Sequence, residues 1–283
     1  MILGCRHGLM LISLWTLNVL LVRDPVTGDQ HFLDIPPGFD KEETVINGAV
    51  LRAAGEAHHF QVVLVGNNDV QLTQAVALVY SSETGVWGDL TSTLLPTKDP
   101  TSDVPTTILV VCSVMVGSSI YWMLTGNWFG ILEFNVDRQS LSVIDVPVDV
   151  DAGRCSFTVM HAEGGGLGFL FLSGYCIELW KRKTDCDGVA SWVLGRTVAL
   201  DKPLSMNSEE GSQSPRILWF AEDNNAVLVR TFIGIFMVQF ESLQFKKLFE
   251  SYCWFHFYPF EGVYTADARI DDGHGGAKLL RDT

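Results

Sequence analysis

The sequence predicts an all-β chain folded as a β-propeller of four-stranded antiparallel blades. Three observations carry that expectation: a strand–turn–strand unit that recurs along the chain, strands that are apolar on both faces, and no long run of 3.6-residue periodicity. Composition agrees. Hydrophobic residues make up 47% of the 283 and charged residues 18%, far from the profile of a disordered chain. The 17 Phe and 8 Trp suit pleated surfaces, where aromatic and β-branched side chains pack.

Each copy of the unit is an apolar strand, a polar turn and a second strand. Leu20 to Arg23 leads into Asp24-Pro25-Val26-Thr27-Gly28-Asp29 and then Gln30 to Ile35. Ala77 to Tyr80 is followed by Ser81 to Gly85, Ile131 to Phe134 by Asn135 to Gln139, Ile177 to Trp180 by Lys181 to Gly188, and Phe236 to Phe240 by Glu241-Ser242. The starts at 20, 77, 131, 177 and 236 lie 57, 54, 46 and 59 residues apart, close to a kelch-type blade. Asp, Asn, Ser and Gly make tight turns, and the prolines that follow end the second strand. Two further strands precede the later hairpins: Thr107–Val116 with Ser119–Leu124, Cys155–Ala162 with Leu167–Ser173, and Arg216–Ala221 with Ala226–Phe232. The expectation is about six blades, one of them incomplete because the chain begins mid-blade. Phe255–Tyr264 would supply a last strand or close the ring, the propeller would span residues 1–265, and residues 266–283 would form a flexible tail.

Charge narrows the partners. Nineteen basic against 33 acidic residues give a net charge of −14, and a nucleic-acid binder needs a basic face. The short clusters Lys181-Arg182-Lys183 and Lys246-Lys247 read as solvated strand ends or turns. The apolar run Leu9 to Val22 contains Ser13, Thr16 and Asn18, too short and polar to cross a bilayer, and reads as strands Gly8–Ser13 and Asn18–Arg23. Six cysteines without a C-x-x-C pair argue against a zinc finger, and the chain has no N-x-[ST] sequon. The missing sequon, with several cysteines set in apolar runs as free thiols, points to a reducing compartment, cytoplasm or nucleus.

The hairpin from Leu21 through Asp24-Pro25-Val26-Thr27-Gly28 to Pro36-Pro37 resembles the F-box-associated motif of plant proteins. Gly4 to Gly8, Val79 to Trp87, Ile131 to Phe134 with Asp137 to Leu141, and Leu179 to Gly188 resemble grass members of that family. The resemblance runs from about residue 3 to residue 264. It departs from the family pattern at Arg23, where an aromatic is common, and at the start, since the chain begins inside the propeller rather than with an F-box. The resemblance implies a substrate-recognition role in a cullin–RING ubiquitin ligase, with a protein substrate held on the propeller. The ligase adaptor would join only if an F-box is supplied.

No catalytic motif emerges from the sequence. Gly164-Gly165-Gly166-Leu167-Gly168 precedes a strand where a dinucleotide site needs a helix, so it reads as a turn. An EF-hand loop from Asp149 would need Glu where Met160 stands. No G-x-S-x-G elbow or H-E-x-x-H helix occurs. The expectation is a chain that is not an enzyme and carries no cofactor or metal. Its alternatives are a propeller hydrolase or lyase acting on carbohydrate, and a truncated product without independent function. Loops joining second to third strands and loops joining blades emerge on one face of a propeller. Trp128, Phe129 and Tyr175 would stand there as anchors for a protein, since Trp and Tyr dominate interface hot spots. The rival reading has them filling gaps between blades.

Overall fold

A computed structural model describes residues 1–39, 46–52, 59–67, 72–148, 155–201, 214–221, 225–240 and 242–250. It contains five antiparallel sheets. Blade 1 is β1 (Ile2–Arg6), β2 (Leu9–Leu14), β3 (Val19–Arg23) and β4 (Gln30–Asp34). Blade 2 holds β5 (Ile46–Arg52), β6 (Phe60–Asn67), β7 (Gln74–Ser81), β8 (Val86–Trp87) and β9 (Thr91–Leu94). Blade 3 holds β10 (Thr106–Ile108), β11 (Val114–Val116), β12 (Ser119–Gly126), β13 (Gly130–Asn135) and β14 (Ser140–Asp145). Blade 4 is β15 (Cys155–His161), β16 (Leu167–Ser173), β17 (Cys176–Thr184) and β18 (Ala190–Ala199). Blade 5 is β19 (Arg216–Ala221), β20 (Ala226–Thr231), β21 (Gly234–Gln239) and β22 (Gln244–Phe249).

Two expectations are corrected. The described residues form five blades rather than about six, and the first is complete, because Ile2–Arg6 pairs with β2 as a full inner strand. The short apolar segment before the first hairpin held two strands and a two-residue turn, a tighter arrangement than its sequence suggested. Phe255–Tyr264 and the tail from residue 266 lie outside the described residues, as does the segment from Asp149 to Gly153. The recurring apolar segments are the third strands β3, β7, β13, β17 and β21, each flanked in its sheet by the second and fourth.

Adjacent blades press face to face, so middle strands such as β6 and β12 bury both of their sides. In β6, Phe60, Val62 and Leu64 enter the core between blades 1 and 2, whereas Val63 and Val65 enter the core between blades 2 and 3. In β12 the same two-residue period sends Ile120, Trp122 and Leu124 toward blade 2 and Tyr121 and Met123 toward blade 4. A third apolar cluster joins blades 3, 4 and 5 through Phe169, Phe171, Val227, Val229 and Phe236.

The inner edge of blade 3 departs from the single strand expected over Thr107–Val116. It splits into β10 and β11, and both pair with β12. The intervening segment turns away because it finds partners on other blades. Asn47 on β5, fully buried, donates from Nδ2 to the carbonyls of Leu109 (3.0 Å) and Val111 (2.8 Å). Arg6 on β1 donates to the carbonyl of Ser113 at 3.0 Å, and the Cys112 thiol donates to the carbonyl of Leu3 at 3.4 Å. The inner strands of blades 1 and 2 thus take over hydrogen bonds that a continuous β10–β11 ladder would have made.

The Asp24-Pro25-Val26-Thr27-Gly28 turn is an Asx turn with a second duty. Asp24 Oδ1 accepts from the backbone N–H of Val26 (2.9 Å) and Thr27 (3.2 Å), while Oδ2 meets Arg52 of blade 2 at 2.9 Å. Burial alone would raise the pKa of this carboxyl, but the Thr27 and Val26 amides and Arg52 together hold it below its ordinary 3.8. Its folded value therefore lies below its unfolded one. The stability it contributes is present above about pH 4 and is lost as pH falls through the lowered value. Asp24→Asn should destabilise the protein by about 1–3 kcal/mol at neutral pH, with the deficit shrinking in urea titrations run progressively below pH 4. Trp122→Ala, at the centre of the blade 2–3 core, should cost about 3–5 kcal/mol by the same measurement. Phe32→Ala, at 61% exposure, should stay within about 0.5 kcal/mol.

Candidate interaction face

Antiparallel order brings the loops between second and third strands to the same face as the segments that join blades. In blade 1 this loop is a single 3-10 turn, Trp15–Leu17, whose Trp15 and Leu17 are 40% and 65% exposed. In blade 3 it is residues 127–129, in blade 4 Gly174-Tyr175, and in blade 5 Phe232-Ile233. The inter-blade segment Pro96–Pro105 is tied to the blade 3 loop by a reciprocal pair. The Asp99 amide donates to Asn127 Oδ1 at 2.8 Å, and Asn127 Nδ2 donates to the Asp99 carbonyl at 2.7 Å. The Asp99 carboxyl accepts from the hydroxyl and amide of Thr101, which hold its pKa below the ordinary value.

Between these loops lies a groove of about 410 Å³ lined by Pro96, Lys98, Trp128, Phe129, Val146 and Val148. Beside it a cavity of about 210 Å³ lies among the inner strands of blades 3, 4 and 5, where Leu109, Cys112, Ser156, Thr158 and Arg216 form its wall. Phe129 lines both spaces and connects them. Its ring meets Phe157 of β15 edge-on, with centroids 5.7 Å apart, so the wall between groove and cavity is an aromatic pair.

Trp128 and Phe129 are half-buried, and the structure brings them together in the groove. The Trp128 ring also packs on the core between blades 2 and 3 and lies over Gly130, where a Cβ would sit 2.0 Å from the indole. Tyr175, also half-buried, stands in the equivalent loop of the next blade and packs on the core of blades 3 to 5; it lines neither space. Sequence reasoning missed Trp15, Leu17, Lys98 and Arg216. The first two were legible as apolar residues between paired strands, whereas Arg216 reaches the cavity only because β19 lies beside β15.

Gly164, Gly165 and Gly166 form the turn between β15 and β16, all with positive φ, and the Ala162 amide donates to the Gly166 carbonyl at 3.0 Å across it. Among the described residues no three His, Cys, Asp or Glu side chains group as metal ligands, and no helix is long and apolar enough to cross a membrane.

Comparison with known proteins places the chain. No curated protein matches it. Among solved structures it is similar to a luciferin-regenerating enzyme, at 8% identity and a TM-score of 0.44 over 87% of this chain and 75% of that one. It is also similar to an α-L-arabinanase from Penicillium chrysogenum, at 11% identity and a TM-score of 0.40 over 78% and 69%. The expectation that the chain is not an enzyme is corrected by these two: propellers similar to it include enzymes, so the absence of sequence motifs does not exclude catalysis, which geometry rather than spacing decides. At such scores their chemistry is not carried to this chain.

If the groove holds Trp128 through the space above Gly130, then Gly130→Ala should expel the indole. Tryptophan emission should shift to the red and increase its quenching by iodide, and both changes should vanish in a Trp128→Phe background. The family model for F-box protein AT5G49610-like β-propellers matches residues 1–265, and the chain belongs to that family.

Proposed function

We propose that this propeller recognises a protein partner on the loop face, and that it serves as the substrate-recognition part of an SCF-type ubiquitin ligase when an F-box is joined to it. The observation that carries this reading is the groove of about 410 Å³ in which Trp128 and Phe129 meet beside the central cavity. A concave surface that sets Trp128, Phe129, Val146 and Val148 beside Lys98 and Asp145 suits an anchor residue of a partner, and Trp and Tyr concentrate binding energy in such places. Trp15 and Leu17 are exposed on the same face, and Tyr175 adds an anchor on blade 4. The net charge of −14 disfavours nucleic acid as the partner. Family membership supports the ligase part of the reading.

The test is affinity capture of the tagged chain beside a version with an F-box fused in front. Both should retain the same protein, and only the fusion should also retain ligase subunits. Trp128→Ala with Tyr175→Ala should weaken capture of that protein at least about tenfold, equivalent to 1.4 kcal/mol, while thermal unfolding stays cooperative. Capture unchanged in the double variant would remove the loop face from recognition.

A further inference from the structure

The outer strand of blade 4 differs from those of the other blades. β18 is ten residues long with Arg196 as its only charged side chain. By contrast β4, β9, β14 and β22 have four to six residues. It stands last in the order β15-β16-β17-β18, and among the described residues no strand pairs with its outer edge. Its Val193 and Leu194 are 42% and 45% exposed. A long apolar edge is a template for another strand, which natural sheets ordinarily blunt with charge, proline or shortness. Gly195 is an extra residue, since Trp180 pairs with Leu194 and Leu179 with Arg196, so the regular edge runs over Ala190–Leu194.

The two faces beside this edge differ in chemistry. One carries Lys181, Lys183 and Arg196, which border a hollow of about 220 Å³. The register sets Met160, Gly168, Lys181 and Val193 in one row beside it. Arg196 pairs with the Glu163 carboxylate and donates to the Phe240 carbonyl, and Lys181 Nζ donates to the Glu163 carbonyl at 2.9 Å. Three cations and a single carboxylate therefore line this hollow, in a chain of net charge −14. The opposite face is apolar and aromatic: Trp180, Trp192 and Leu194, with the Arg182 guanidinium 5.9 Å from the Trp192 ring centre.

We propose that the edge of β18 over Ala190–Leu194 docks an extended segment of a partner protein, which adds as a fifth strand to blade 4. Its alternate side chains are acidic on the side of Lys181, Lys183 and Arg196, and apolar on the side of Trp192 and Leu194. Backbone pairing supplies affinity in such strand addition, and the alternating side chains supply specificity. Charge complementarity selects this occupant over a second copy of the chain, because two copies paired along this edge would bring like cations together. The site is separate from the loop face and does not depend on the role assigned to it.

A short fluorescent peptide of alternating glutamate and valine tests the proposal by anisotropy on the full chain. It should bind saturably and weaken as salt rises. Lys181→Glu with Lys183→Glu should weaken it at least about tenfold and admit the lysine–valine counterpart. A central proline in the peptide should abolish binding, since proline cannot complete the ladder. Trp128→Ala should leave binding unchanged. Absence of saturable binding, equal binding of the lysine–valine peptide to the native chain, or full binding of the proline peptide would each overturn the proposal. Should the charge-reversed variant fail to fold, the salt dependence and the proline peptide decide.

Discussion

The second strands β6, β12 and β16 bury both of their faces, and much of the structure follows from that constraint. A sheet packed on one side alternates apolar and polar residues. Here Val62 to Val65 and Ile120 to Leu124 are apolar without interruption, because even and odd positions enter different inter-blade cores. Polar residues are consequently driven to the fourth strands and the turns. Apolar side chains that stay outside therefore stand out.

Some of the polar groups that enter the interior connect blades. Asn47 and Arg6 reach the segment between β10 and β11, which belongs to neither of their sheets. A buried side chain left without partners would cost several kcal/mol, so these bonds and the break in the inner strand of blade 3 depend on each other. The break also frees Leu109 and Cys112 to line the central cavity. A structural requirement of blades 1 and 2 thus shapes a wall of the candidate site on blade 3. The Asp24–Arg52 pair plays a comparable part at the surface, where the Asp24 turn of blade 1 is secured to blade 2.

Two surfaces of distinct character result. The loop face is concave and carries paired aromatics, built from segments that topology forces together. The β18 edge is open and cationic, built from one strand and the register beside it. The two surfaces lie on different elements, so a change to one leaves the other in place.

The residues by themselves determined the strand class, the five third strands and the turns between third and fourth strands, since these rest on period-two burial and on local turn chemistry. They also located the Trp128-Phe129 loop, because an aromatic pair between two strongly apolar strands is a local feature. Tertiary structure alone decided the rest. The number of blades depended on whether Ile2–Arg6 pairs with β2, and the division of Thr107–Val116 depended on Asn47, more than sixty residues away. Phe129 meets Phe157, and Gly168 falls opposite Lys181, only through strand register and blade packing. Such placements arise from the closure of long loops and the sharing of backbone hydrogen bonds between sheets, and no local pattern encodes them.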